Sequence, residues 1–243
     1  PNMRDGGLSA GAVWAHLAKN GQLETERPYH DMYLALQKDK TELYFENPKL
    51  KFEKLTLRAL SKEAAKLISL GKFIGLHYGK MEFGPRALGH RSLLLDPRTK
   101  NILKSANKRL RRTEFMPFAP VVLRKNFEHY FMGNLLQMPG LNFMTITCDV
   151  KQSSWHEIPA VTHIDNTARP QVIDYEENDL YSNILLEFEK LTGVGVLVNT
   201  SLNVHETPIN FNLRDSIQCL EEGAIDFIVT DDYLISLAGP INE

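Results

Sequence analysis

Strand-length apolar runs that alternate with helical stretches constrain this 243-residue chain most. KFIGLHY at 72–78, LLLD at 93–96, VGVLVNT at 194–200 and DFIVTDDYLISL at 226–237 read as strands, as do MTITCDV at 144–150 and RPQVIDY at 169–175. Helices are predicted at about 178–191 and 213–222, between the last of these strands. Strands interleaved with helices give an α/β or α+β open sheet, and 43% apolar residues suffice for a full core. Upstream, Asp5, Gly6 and Gly7 precede a helical pattern through Leu17, which Gly21 ends. Residues 20–52 are polar, carry Pro28 and Pro48, and read as a connector; Ser61 is placed as the cap of a helix through Leu70. The opening PNMRDGGLSAGAVWAHL starts on a polar glycine turn and runs straight into a helix, so the chain is expected to be a fragment.

A net charge of -2 and a pI near 6.5 argue against nucleic-acid binding by bulk electrostatics, so any anion site must come from local clustering. Cys148 and Cys219 are the only cysteines and form no CxxC, which removes zinc knuckles and disulfide frameworks and fits a reducing cytoplasm. Apolar runs such as 194–198 fall well short of the roughly 20 residues a membrane helix needs. No membrane partner is expected.

The cluster lies in Lys80–Asp96, KMEFGPRALGHRSLLLD, where cations stand among glycines, a proline and small residues directly after a strand. That composition suits a loop wrapped around phosphate oxygens. Arg98–Arg112 adds seven basic residues and no acidic one. Ile102, Ala106 and Leu110 recur at four-residue spacing with Lys100, Lys104 and Lys108 on another face, which makes residues 99–110 an amphipathic helix. A solvated face is the ordinary explanation of such lysines. Arg111 and Arg112, however, close the helix just before TEFMPFAP, whose Phe115, Met116 and Phe118 would pin the backbone so that a guanidinium can fork onto two phosphate oxygens. Asn199, Thr200, Ser201 and Asn203 of NTSLN follow an apolar strand, which places short donors at its carboxyl end; a plain turn or helix cap is the alternative. His163 and Asp165 read as a hydrogen-bonded structural pair on one strand face, and His77, His90 and His205 show no metal-ligand spacing.

Four blocks in register, EFGPRALGHRSLLLDPR, NKRLRRTEFMPFAP, PAVTHIDNTARPQVI and VGVLVNTSLNVHETPI, resemble the C-terminal domain of the carbamoyltransferase family that includes the nodulation-type and antibiotic O-carbamoyltransferases. The resemblance covers roughly residues 60–237. It implies a YrdC-like open twisted sheet with flanking helices over residues 53–243, preceded in 1–52 by the helical end of an actin-like ATPase-type domain and a connector. It also implies the joining of carbamoyl phosphate to ATP, giving carbamoyl adenylate and pyrophosphate. The N-terminal actin-like domain of the same full-length chain would then pass the carbamoyl group to an acceptor hydroxyl. On this reading Arg86, Arg111 and Arg169 neutralise phosphate, with a structural arginine bridging strands the alternative for Arg169, and Ser201 serves by hydrogen bonding. Lys80, Arg91, Arg112, Asn199, Thr200 and Asn203 would hold the nucleotide. Mg2+ would arrive with ATP, with Glu82 or Asp96 either helping to hold it or positioning arginines. RDGGLSAGA resembles the closing motif of the actin-like domain, so Asp5 matches a metal-ligating aspartate whose partners belong to the complete enzyme. Many family members carry an arginine before the PFAP block; Met116 stands there in this chain, and the contact would fall to a neighbour such as Arg112. A YrdC-like threonylcarbamoyl-adenylate synthase for tRNA modification and a non-catalytic RNA-binding module using the Arg98–Arg112 face are the competing readings, and a homodimer is left open.

Overall fold

The computed structural model describes residues 7–22, 32–35, 40–111, 118–177, 179–204 and 207–239. The first helix, α1 (Leu8–Lys19), runs two residues past the expected end, and Gly21 follows in the left-handed region at φ 65°. None of its residues is buried. The stretch expected to be wholly irregular contains a 3-10 turn at Thr41–Tyr44 and a strand, β1 (Leu50–Lys54). Local sequence gives β1 little reason to extend; its register with a strand near the far end of the chain does, pairing Leu50 with Leu237. The sheet therefore takes in residues on the far side of the expected boundary at 53.

Helix α2 (Leu57–Ser69) is capped by Thr56, whose Oγ1 accepts the Ala59 amide at 3.4 Å. Ser61 is not the cap. It lies one turn inside and donates its hydroxyl back to the Leu57 carbonyl at 2.7 Å, as a helical serine can. Strands β2 (Ile74–His77) and β3 (Arg91–Leu95) form an antiparallel pair, and α3 (Asn101–Arg109) follows with Ile102 and Ala106 buried and Lys100, Lys104 and Lys108 exposed. Arg109 anchors α3 through Asp226 at 2.9 Å and lies 4.4 Å over the Phe73 ring. Strand β4 (Ala119–Leu123), fully buried, leads through a 3-10 turn at 124–126 into the single turn α4 (Phe127–Tyr130).

The strand expected over 144–150 shrinks to β5 (Cys148–Asp149), which pairs with β6 (Thr167–Ala168). Met144 ends a 3-10 turn in the left-handed region at φ 55°, and both the amide and the hydroxyl of Thr145 turn back to the Gly140 carbonyl, so these residues leave extended geometry. Beyond β7 (Gln171–Ile173) come α5 (Leu180–Thr192), capped by Asp179, and β8 (Val196–Ser201). Helix α6 (Leu213–Glu221) opens on a reciprocal capping box between Asn212 and Asp215. The apolar run expected as one strand over 226–237 folds back on itself as β9 (Phe227–Val229) and β10 (Tyr233–Leu237), turned where Thr230 Oγ1 accepts the Tyr233 amide at 3.1 Å.

Among the described residues eight strands make one mixed sheet in the order β1-β10-β9-β2-β3-β8-β4-β7. Pairing register makes Asn199 and Ser201 share a face with Ser92 and Leu76, opposite His77. Helix α5 covers the Asn199 face, packed along α2; α6 covers the other, where His77 Nδ1 and Ser216 Oγ lie 2.8 Å apart. Gly75 makes room for Ile225, in the turn after α6, since a Cβ there would sit 2.8 Å from its side chain. The result is a three-layered α/β fold, an open sheet with flanking helices as expected. No helix among the described residues is long and apolar enough to cross a membrane.

Candidate active site

The loop between β2 and β3 crowds backbone amides and carbonyls into the interior, and buried peptide groups need partners. Two ionisable side chains supply them. Glu82, 5% exposed, accepts the amides of Leu88, His90 and Arg91 on Oε1 at 2.7, 2.8 and 3.1 Å. Arg91, 1% exposed, donates Nη1 to the carbonyls of Tyr78, Gly79 and His90 at 3.0, 3.4 and 3.0 Å. Arg91 is thus placed as an internal brace of the loop. Glu82 flanks the basic stretch as expected yet holds amides, whereas Asp96 does hold an arginine, Arg98, at 2.6 Å. Gly89 is obligatory: its φ is 114°, and a Cβ would stand 2.3 Å from the Tyr181 ring.

Beneath the loop a chain of buried polar groups rises from the sheet. Tyr181 donates to Gln171 Oε1 at 3.0 Å, Asn199 Nδ2 donates to the same oxygen at 2.8 Å and to the Ala87 carbonyl at 3.0 Å, and Gln171 Nε2 donates to the Leu88 carbonyl at 2.8 Å. Burial drives the Tyr181 phenol well above its ordinary range and keeps the His90 ring below its usual one, so both are neutral donors and acceptors near pH 7. Asn199 sits in mid-strand at 1% exposure, reaching the loop from below. Glu82 Oε2 and Asn199 Oδ1 are buried without a hydrogen-bond partner among the described residues. Gln171 and Tyr181 were not foreseen; the glutamine within the apolar run of β7 was the available signal.

Above this platform the loop presents Arg86, half-buried, and Lys80, exposed. Arg169 is half-buried just after β6. Ser201 and Asn203 are brought together, Oγ donating to Oδ1 at 2.6 Å, and Asn203 Nδ2 closes a turn on the Thr207 carbonyl at 2.7 Å. Thr200 faces the other side of the sheet, half-buried. Arg111 stands apart from the loop. With φ 55° it extends to Glu222 at 3.0 Å and borders a cavity of about 650 Å³ shared with Thr207, Asn210, Phe211 and Cys219. A second cavity, about 420 Å³, opens beside the loop between Tyr33, His90, Phe143 and Tyr181. Asp5, Arg112, Met116 and His205 lie outside the described residues. His163 and Asp165 share Thr167 in a turn, Asp165 Oδ1 accepting its hydroxyl at 2.7 Å. No three His, Cys, Asp or Glu side chains among the described residues gather to hold a metal.

The C-terminus model of the carbamoyltransferase family matches residues 65–237, from within α2 to the end of β10. The chain belongs to that family. This carbamoyltransferase domain is 34% identical over 254 residues to an uncharacterized protein of Methanocaldococcus jannaschii, covering 97% of the chain and 39% of that protein. It is 36% identical to nodulation protein NolNO of Sinorhizobium fredii and 32% to nodulation protein NolO of Bradyrhizobium diazoefficiens, each over 72% of the chain and over 26% and 32% of the relative. The chain thus spans well under half the length of these relatives. Among solved structures, T. kodakarensis HypF superposes with a TM-score of 0.50 at 14% identity, covering 76% of the chain and 23% of HypF; that likeness speaks to the fold of the carbamoyltransferase domain alone.

Proposed function

We infer that this domain makes carbamoyl adenylate from ATP and carbamoyl phosphate, and that transfer to an acceptor hydroxyl belongs to an N-terminal actin-like domain of the full-length protein. The observation that carries the reading is the Tyr78–Arg91 loop. In a chain of this family, a buried carboxylate and a buried guanidinium brace the two ends of the loop that carries Arg86. Water would first release inorganic phosphate from carbamoyl phosphate, leaving carbamate. A carbamate oxygen would then attack the α-phosphorus of ATP as the bond to the β-phosphoryl oxygen breaks, giving carbamoyl adenylate and pyrophosphate. Two anions must meet, so cations have to offset their repulsion; Arg86 and Lys80 on the loop and Arg169 just after β6 would serve, whereas Arg111 is engaged with Glu222 apart from the loop. Mg2+ would come with the triphosphate; Asp96 is engaged with Arg98, and Glu82 holds amides on Oε1. Pyrophosphate release from ATP that depends on carbamoyl phosphate is the test. Its absence, with ATP binding intact, would overturn the adenylation reading.

A further inference from the structure

The segment Met32–Ala35 lies outside the span that matches the family, yet it is built into the loop. The Phe83 amide donates to the Met32 carbonyl at 2.7 Å, and the Ala35 amide to the Met81 carbonyl at 3.3 Å. The Tyr33 hydroxyl donates to the Leu88 carbonyl at 2.9 Å, while its ring stacks on His90 with centroids 3.4 Å apart and planes 5° from parallel. Met32, 3% exposed, packs with Leu88, Ala119 and Met144. The Leu88 carbonyl is therefore gripped from two sides, by Gln171 from the sheet and by Tyr33 from this segment.

The distribution of contacts matters. Glu82 and Arg91 secure the loop where it begins, at Tyr78 and Gly79, and where it ends, at Leu88–Arg91. Between them Phe83 is 40% exposed, Gly84 has φ 131°, and Pro85 is exposed. On the approach to Arg86, the Lys80 carbonyl meets His90 Nδ1 and the Glu82 carboxylate ties residue 82 to the departing side, while the backbone at Met81 and Phe83 is bonded by Ala35 and Met32. Tyr33 stands between those two residues and ties the same segment to the departing side at Leu88 and His90.

We propose that Tyr33 is a positioning residue: the segment 32–35 straps the Tyr78–Arg91 loop on both flanks of Arg86 and thereby sets the affinity of the anion site. The consequence for ligand binding rests on the function inferred above; the strap itself does not. Tyr33→Ala removes ring and hydroxyl, and Tyr33→Phe removes the hydroxyl alone. Hydrogen exchange at the Phe83 and His90 amides should accelerate about tenfold in Tyr33→Ala with the β8 amides unchanged. The KM for carbamoyl phosphate should rise about tenfold with kcat within about twofold, and Tyr33→Phe should recover most of both. Unchanged exchange at Phe83 overturns the strap. Faster exchange with an unmoved KM overturns its role in affinity. A parent protein that fails to bind carbamoyl phosphate sinks the inferred function instead, and the exchange measurement then still decides for or against the strap.

Discussion

His90 is enclosed by the Tyr33 and Tyr78 rings, and its Nδ1 lies 2.6 Å from the Lys80 carbonyl. Burial holds its pKa below the ordinary 6.5, outweighing the charge of Glu82 nearby. The unfolded chain therefore takes up the proton first. The stability this residue contributes is present above about pH 6.5 and is lost as pH falls toward the depressed value. Melting curves between about pH 7.5 and pH 5 should fall more steeply for the parent than for His90→Gln; parallel curves would reject the assignment. For the cations, Arg86→Ala and Arg169→Ala should each weaken ATP or carbamoyl phosphate binding by about 1.5–3 kcal/mol, read by calorimetry. Ser201 is different. Its hydroxyl is engaged with Asn203 at 2.6 Å, so Ser201→Ala should cost about 1 kcal/mol of stability. Activity per folded molecule then tells whether it also meets substrate. The sequence revealed the NTSLN residues as polar ends to an apolar strand. It could not reveal which face each takes, because that follows from pairing Ser201 with Ser92 and Asn199 with Leu94.

Among elements, those with strong local signals were legible: α5 and α6 carry their own caps in Asp179 and Asn212, and α3 has its lysines on the exposed side. Strand β4 was not. Pro120 sits within it, opposite Val198, and a proline ordinarily argues against an interior strand; here burial of its neighbours prevails. Strand β1 was hidden because its partner is remote in sequence. The loop was recognisable by composition, but its bracing was not, since Glu82 and Arg91 act through backbone groups that no motif displays. Gly89→Ala tests that bracing directly. A methyl group would meet the Tyr181 ring in a backbone conformation that suits glycine, so destabilisation of about 2 kcal/mol or more is expected from denaturant titration. A change within about 0.5 kcal/mol would mean that the loop moves freely off α5.

At the scale of the molecule, the family match begins at residue 65, whereas the fold begins earlier, with β1 on the edge of the sheet and residues 32–35 against the loop. A variant lacking residues 1–54 should therefore be less stable than one lacking 1–45, although both keep the matched span. Loss of the buried Leu50 side chain alone corresponds to about 2 kcal/mol, or at least about 4 °C in Tm for a domain of this size. Equal melting temperatures would show β1 to be dispensable. The same strand governs the order of assembly. Leu50–Lys54 pairs with Tyr233–Leu237, so β1 is made before all of the intervening chain and finds its partner only once that chain is complete. Closing so long a loop is slow compared with forming the β2–β3 hairpin, and pairing so non-local belongs late in folding. Until then the nascent chain carries an unsatisfied strand edge, and its vulnerability to aggregation is set by how long translation takes to deliver β10.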